Sequence, residues 1–334
     1  MSTRGTDYEN MRLMARVLTL HYHEGSPQSQ IASELGLSTA KVNRLIKQGR
    51  ESGMLEITIN SPFQREFELE SRLSRRWDLK YRLVVSSVSG NAETTLNQVG
   101  KGAGNMLLET IRDGDTIAIS GGKALSAVVD NLSVSRSYDI NVVPMTGGVQ
   151  GQHYTDVNHI ATQLAEKLGG RAILLHAPLH ADSRKERDLL MSVRATREVM
   201  DVARNASVAL VGIGSVIGDN STYYDAHPVS EADRKKLVEE GVRAELIGHL
   251  IDGYGKLSDN DFNSRLVGLS PYEAAKIPTT IGVASGPEKV RPICAALNGG
   301  FINSLVLDEN TVEGVLEYEL EKAVVVDEEI AIGD

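Results

Sequence analysis

Four glycine-rich segments, each following an apolar run, carry residue types that hold anions. In "AISGGKALSAVVDNL", Ser120, Gly121, Gly122 and Lys123 stand between a strand-like run and a helical pattern. Glycine leaves backbone N–H groups bare, the helix start adds its dipole, and Lys123 adds a full positive charge, which together favour a phosphate. "VVPMTGGVQGQH" offers a second such loop through Thr146, Gly147 and Gly148. "VASGPEKVRPICAALNGG" sets Gly286 three residues before Lys289, a lysine suited to a phosphate or a sugar hydroxyl. The remaining segment, "ALVGIGSVIGDN", carries Gly212, Gly214 and Gly218 and superficially matches a dinucleotide fingerprint. Its spacing is one residue too long and no ribose-binding acid follows at the expected distance, which argues against NAD. One such loop alone is an ordinary tight turn; together they point to a phosphorylated small molecule.

Loops of this kind need a scaffold that brings strand ends together. Strand-like runs at Leu83–Val88, Thr116–Ser120 and Ile140–Pro144 alternate with helical patterns at Leu96–Ile111 and Ala124–Leu132, and the rhythm continues through "NHIATQLAEKL", "SVALVGIG" and "TTIGVASG". This order predicts a doubly wound, mainly parallel α/β domain over residues 83–334, with ligands at the carboxyl ends of its strands. Before it, "SPFQREFELESRLSRRWDLKYR" (residues 61–82) reads as a charged linker helix with Phe67, Leu69 and Leu73 as apolar positions and Trp77 packed against the following domain.

The first 60 residues have another texture. Seven basic and six acidic side chains give them a net charge of +1, so the remainder of a chain with net charge −10 carries −11. Met11, Met14, Val17, Leu18 and Tyr22 recur at helical spacing over about Met11–His23. After Ser26-Pro27, Ile31, Ala32 and Leu35 form the stripe of a second, short helix ending at Gly36; Ser38 then caps a third, whose stripe is Val42, Leu45 and Ile46. This is the order of a helix-turn-helix, and alternating Leu55, Ile57 and Ile59 predict a wing. Gln28, Ser38, Thr39, Lys41, Asn43, Arg44, Lys47 and Gln48 form the expected DNA-contacting set. Arg44 suits guanine, Asn43 or Gln48 adenine, and Lys41, Lys47 and Arg50 phosphate.

Composition narrows the classes further. The chain has 334 residues, 41% hydrophobic and 24% charged, with no apolar run near the ~20 residues of a membrane span. A single cysteine, Cys294, rules out an intrachain disulfide, and the histidines lack metal-ligand spacing, so no cofactor and no metal is expected. The polar start with Asp7 and Glu9 fits neither a secretory signal nor a transit peptide, and a cytoplasmic location is expected.

The ordered set "YHEGSPQSQIASELGLSTAKVNRLI", "DGDTIAIS", "VVPMTGG", "HAPL", "ALVGIG", "LVGLSPYEAAKIP", "GVASGPEKV" and "AALNGGFINSLVLDE" resembles the SorC family of bacterial transcriptional regulators along nearly the whole chain. The resemblance implies an effector domain similar to sugar-phosphate isomerases and deaminases but used for sensing, and a homo-oligomer, dimer or tetramer, on operator DNA controlled by a phosphorylated sugar, polyol or related carbohydrate. It places the phosphate loop on Ser120, Gly121, Gly122 and Lys123, and a second ligand loop on Thr146, Gly147 and Gly148. An acidic sugar contact falls on Glu245 with Asp252 nearby, a basic one on Lys289, and His180 faces the cavity. Two departures stand out. Ala124 replaces a usual threonine and Gly121 a bulky residue, which shifts the phosphate hold toward Ser126 or Lys123. No lysine stands in "TGGVQGQHY", so binding is expected to be reversible and non-covalent. The alternative is a sugar-phosphate isomerase or deaminase with an added DNA-binding head, with Glu245, Asp252 or His180 as base.

Overall fold

The computed structural model describes residues 3–56, 61–149, 156–217, 223–226 and 229–332, and the chain divides into two units, Met1–Gln64 and Arg65–Asp334. Ile57 and Ile59 of the expected wing, Gly218, and the segment 150–155 lie outside the described residues.

The first unit holds α1 (Thr3–Leu18), continued by a π-helical turn at Thr19–His23, then α2 (Gln28–Leu35) and α3 (Thr39–Glu51). Its core is Val17, Leu18, Leu20, Ile31, Ala32, Val42, Leu45 and Ile46. The first helix starts earlier than its apolar spacing indicates, and Met11 is 50% exposed instead of joining the stripe. Gly36 ends α2 in the left-handed region at φ 65°, and Pro27 occupies its N-cap position. The Ser38 hydroxyl caps α3 by accepting from the Lys41 N–H. Gly49 lets α1 and α3 approach: a Cβ there would lie 2.6 Å from Leu18 Cδ1.

The second unit begins with α4 (Gln64–Arg76), β1 (Tyr81–Val85), α5 (Ala92–Thr110), β2 (Thr116–Ile119), α6 (Lys123–Asp130), β3 (Asn141–Pro144), α7 (Val157–Leu168) and β4 (Arg171–Ala172). It continues through α8 (Arg184–Ser192), α9 (Arg194–Arg204), β5 (Val208–Ser215), α10 (Tyr223–Ala226), α11 (Glu231–Glu239), β6 (Val242–Leu246) and β7 (His249–Asp252). The last elements are α12 (Asp261–Arg265), α13 (Pro271–Ala274), β8 (Thr279–Val283), α14 (Val290–Asn298), β9 (Ser304–Asp308) and α15 (Glu309–Ile332). Parallel strands lie in the order β1-β9-β8-β5-β2-β3-β4, and an antiparallel β6–β7 hairpin is added to the end of β5. Two apolar clusters, including Ala209, Val211 and Leu305 in one and Ile119, Leu210 and Ile281 in the other, cover the sheet as the doubly wound pattern requires.

Residues 65–82 are part of this second unit and not a spacer. Leu69 and Leu73 are buried in its core, while Phe67 is 58% exposed. The α4 carboxylates reach β1 and the residue after it: Glu66 accepts from the Ser86 hydroxyl at 2.6 Å and Glu70 from the Val84 N–H at 3.0 Å. Trp77 packs against the core and donates from Nε1 to Asn298.

Candidate functional site

β2 and β5 are neighbours at the sheet's centre, yet β2 leads on to β3 on one side and β5 to β8 on the other. That reversal opens a crevice at the carboxyl ends of the strands, where doubly wound folds bind ligands. Ser120 braces it. Its N–H donates to the Leu210 carbonyl, its buried hydroxyl accepts from the Gly212 N–H at 3.1 Å, and the loop then leaves through Gly121 and Gly122.

Gly122 (φ 122°, ψ 157°) and Gly286 (φ 117°, ψ 152°) adopt nearly the same backbone, one after β2 and the other after β8, on either side of β5. L side chains rarely adopt this region, so both positions require glycine. Each precedes a helical turn whose N-cap has no side-chain hydrogen bond, but the Gly286 N–H is held by Thr311 Oγ1, so the Gly122 turn is the one that presents its positive end to the crevice. Gly121, Gly122, Lys123, Gly212, Gly214, Glu245, Ser285, Glu288 and Lys289 line the resulting cavity of about 200 Å³.

Gly212 and Gly214 are explained by this site and not by a dinucleotide. A Cβ on Gly212 would press on the Gly121 carbonyl at 3.3 Å, and one on Gly214 would collide with the Glu245 carboxylate at 2.2 Å. Glu245 lies opposite Gly214 on β6 and accepts from the Gly248 N–H across the hairpin turn. That turn holds Ile247 at φ 55°, the one non-glycine residue with positive φ among the described residues. A β-branched side chain there is strained, and such strain concentrates at binding sites.

The charges are opposed within a small volume. Burial raises the Glu245 carboxyl above its ordinary range, against the Gly248 hydrogen bond and Lys289. Burial lowers the Lys289 ammonium, with Lys123 adding repulsion, while Glu288 and Glu245 favour its charge. Two lysines that repel in a partly desolvated pocket form a cation site that an incoming dianion relieves, and two carboxylates beside them accept hydroxyl protons.

The structure therefore brings together Gly121, Gly122, Lys123, Glu245 and Lys289, with Ser120 as their brace. The other expected residues fall elsewhere. The Gly147 N–H donates to the Val267 carbonyl and the Gly148 N–H to the Ala177 carbonyl, so these two amides do not cradle an anion. Gly147 is required for packing: a Cβ would lie 2.1 Å from the Pro178 oxygen. Buried Thr146 bridges to Gly268, and His180 and Gly148 border a separate hollow of about 630 Å³ with Asp156, Asn158 and His176. Asp252 closes a turn, accepting from the N–H groups of Tyr254 and Lys256. Ser126 is hydrogen-bonded to Asp130 and is not among the residues lining the 200 Å³ cavity.

On α3, Thr39, Asn43, Arg44, Lys47 and Gln48 are exposed along one helix, with Ser38 at its cap and Lys41 half-buried; Gln28 is half-buried at the start of α2. Arg50 is committed elsewhere, hydrogen-bonded to the Tyr22 hydroxyl and stacked over its ring.

Residues 61–317 match the family described as "Putative sugar-binding domain". The transcriptional regulator LsrR of Enterobacter sp. (strain 638) is 31% identical over 307 residues, covering 91% of this chain and 92% of its own. That of Escherichia coli (strain SMS-3-5) is 32% identical over 308 residues, covering 91% and 94%. The full-length sorbitol operon regulator SorC from Klebsiella pneumoniae superposes with a TM-score of 0.71 at 29% identity, over 92% of this chain and 98% of that one. The chain belongs to the SorC family of transcriptional regulators. Its relatives are named transcriptional regulators, so it is a regulator and not an enzyme.

Sequence reasoning missed Ser285, Glu288 and the Ile247 turn. Ser285 and Glu288 stood inside a quoted loop beside Lys289, so proximity to the glycine was their available signal. The Ile247 turn was visible only as the dipeptide Ile-Gly before an apolar run.

Proposed function

We propose that this chain is a DNA-binding transcriptional regulator whose operator occupancy is set by a phosphorylated sugar, polyol or related carbohydrate held in the β2/β5/β8 crevice. The observation that carries the reading is the glycine turn at Gly122 converging with Lys123, Lys289 and Glu245 on one cavity, which the loop of the matching Gly286 turn borders through Ser285 and Glu288. The phosphate takes the Gly122 turn and the lysines, since the Gly286 N–H is held by Thr311; the sugar hydroxyls take Glu245 and Glu288.

In this reading α2 and α3 act as a winged helix-turn-helix, with Asn43, Arg44 and Gln48 toward base edges and Thr39, Lys41 and Lys47 toward phosphates. One such head makes few phosphate contacts, so the regulator acts as a homo-oligomer, dimer or tetramer, in the cytoplasm.

Ligand state has a physical route out of the pocket. The loop carrying Ser285 and Gly286 is fastened to the start of α15: Ser285 donates to Asp308 and the Gly286 N–H donates to Thr311 Oγ1. Asp308 also accepts from Ser87, and the neighbouring Ser86 donates to Glu66 in the first turn of α4, the helix that begins at Gln64. A ligand that tightens the Gly286 loop thereby shifts the N-terminus of α4, where the chain joins the first unit.

A mobility-shift titration on DNA from the gene's own neighbourhood tests this, with and without sugar and polyol phosphates at ~150 mM salt. Preference over random duplex of ~10³ or more, changed by a phosphorylated compound and not by its unphosphorylated partner, is expected. No preference for that DNA, or no effect of any phosphate, overturns it.

A further inference from the structure

The crevice is too small for the ligand it is built to hold. Its cavity of about 200 Å³ falls below the roughly 300–1,000 Å³ of ordinary small-molecule sites. A phosphate at the Gly122 turn, beside Lys123 and Lys289, uses much of that space, so the rest of a sugar must lie beyond it.

A second hollow of about 930 Å³ opens at the carboxyl ends of β1, β9 and β8, between α5 and α6. Lys123, Ser285 and Glu288 line both cavities, so the two adjoin, with the lysine on their shared border. The outer walls have another charge: Glu93, Asp130 and Glu288 are exposed acids, and Lys123 is the single lysine or arginine among the lining residues. Such walls accept hydrogen bonds from hydroxyls and repel a second anion.

Resting on the sugar-phosphate reading above, the geometry points to a bipartite effector site: the phosphate end occupies the inner cavity, and the outer hollow takes the neutral, hydroxylated far end of a monophosphorylated sugar or polyol of five or six carbons. The outer hollow sets chain length through its volume and excludes bisphosphates through Asp130 and Glu93. Asn97 lines only the outer hollow, from an exposed position on α5, and Asp130 lies at the end of α6, away from the Gly122 turn.

Calorimetric titration of the full chain with glycerol 3-phosphate, ribitol 5-phosphate, sorbitol 6-phosphate and fructose 1,6-bisphosphate tests the assignment. Affinity should rise about tenfold or more from three to six carbons, as one or two further hydroxyls are bound. Asn97→Trp should remove that gain and leave glycerol 3-phosphate binding unchanged, and Asp130→Lys should raise bisphosphate affinity at least about tenfold, with the new cation favourable at a helix C-terminus. Equal affinity along the series, a sorbitol 6-phosphate gain that survives Asn97→Trp, or a bisphosphate that binds the parent as tightly as sorbitol 6-phosphate overturns the bipartite site. A change of sedimentation in Asn97→Trp also overturns it and marks the hollow as a contact between copies. Failure of every phosphate, glycerol 3-phosphate included, overturns the sugar-phosphate reading itself, so the two failures are distinct.

Discussion

Asp308→Asn is the most informative single substitution. The Asp308 carboxylate is 3% exposed and accepts four hydrogen bonds: from Ser87 Oγ (2.8 Å), Ser285 Oγ (2.8 Å), Thr311 Oγ1 (2.6 Å) and the Thr311 N–H (3.1 Å). Burial pushes its pKa up, but the donors from Thr311, Ser87 and Ser285 outweigh burial and hold it below the ordinary value. Hydrogen bonds to a charged acceptor contribute about 1.5–3 kcal/mol each and neutral ones about 0.5–1.5. Replacing four of the first kind by at best four of the second costs about 4 kcal/mol, in the range for breaking a buried network. For a unit of this size that lowers Tm by about 8–12 °C. The depressed pKa fixes the pH dependence: this stabilisation is complete above the unfolded carboxylate's value near ~3.9 and is lost as pH falls through the lower folded value. Urea denaturation of parent and variant from pH 7 to pH 3 should therefore show a constant gap down to about pH 5 that narrows below about pH 4. A gap under about 1 kcal/mol at pH 7, or one unchanged at pH 3, refutes the argument that the carboxylate's charge organises this junction.

Lys289→Met should weaken phosphate binding by about 10–100-fold in calorimetry, the loss of one charge-assisted contact, while leaving the ligand-free protein as stable or more so, because burial disfavours the ammonium. Glu245→Gln should raise Tm of the ligand-free protein at pH 7 and weaken ligand binding: with its pKa raised in the folded state, the native carboxylate is destabilising above that value, and the advantage of Gln shrinks as pH falls toward the unfolded value near ~4.3. Buried His249, held down to about 4 by desolvation, stays neutral while the unfolded chain protonates near ~6.5, so stability should fall as pH drops from 6.5 to 4, by up to about 3 kcal/mol, and His249→Asn should flatten that slope in denaturation curves. Ser86→Ala should leave sugar-phosphate affinity and operator affinity each within about threefold yet reduce the effect of one on the other, read as a smaller ligand-induced change in mobility shift.

What the sequence disclosed and what it hid differ by the reach of the interaction. Gly122 and Gly286 were legible because a strand, a glycine and a helix start are consecutive, and the chemistry of such a turn is local. Gly147 and Gly148 carry the same local signature, but the structure spends their amides on Val267 and Ala177, partners 120 and 29 residues away. Nothing in "VVPMTGGVQGQH" records those partners. Asp308 looks like one more carboxylate after a strand, and its role exists only because Ser87, 221 residues earlier, reaches it. Glu245 was found through resemblance; the physical reason for its placement, a strained Ile247 turn opposite Gly214, is a property of the folded hairpin. The alternation of strands and helices gave the parallel sheet, whereas the antiparallel β6–β7 pair lies in a stretch whose short apolar runs did not distinguish strand from helix.

The distribution of stiffness around the pocket supports the proposed direction of coupling. Arg65, itself exposed, pairs with half-exposed Glu313 and partly buried Glu309, and pairs that rest on so exposed a partner add little and are screened by salt. The contact between Ser86 and Glu66 is different, since the glutamate is 6% exposed and cannot trade its partner for water without cost. The first turn of α4 is thus held by one stiff bond to Ser86, just past β1, and two soft ones to α15. Typical allosteric couplings are 1–3 kcal/mol, which is less than the strength of the Asp308 junction and more than the surface pairs resist. A ligand drawing the Ser285–Gly286 loop inward therefore moves Asp308 and β1 as a body, carries Glu66 with them, and lets the Arg65 pairs yield; high salt should loosen those pairs without cutting the route.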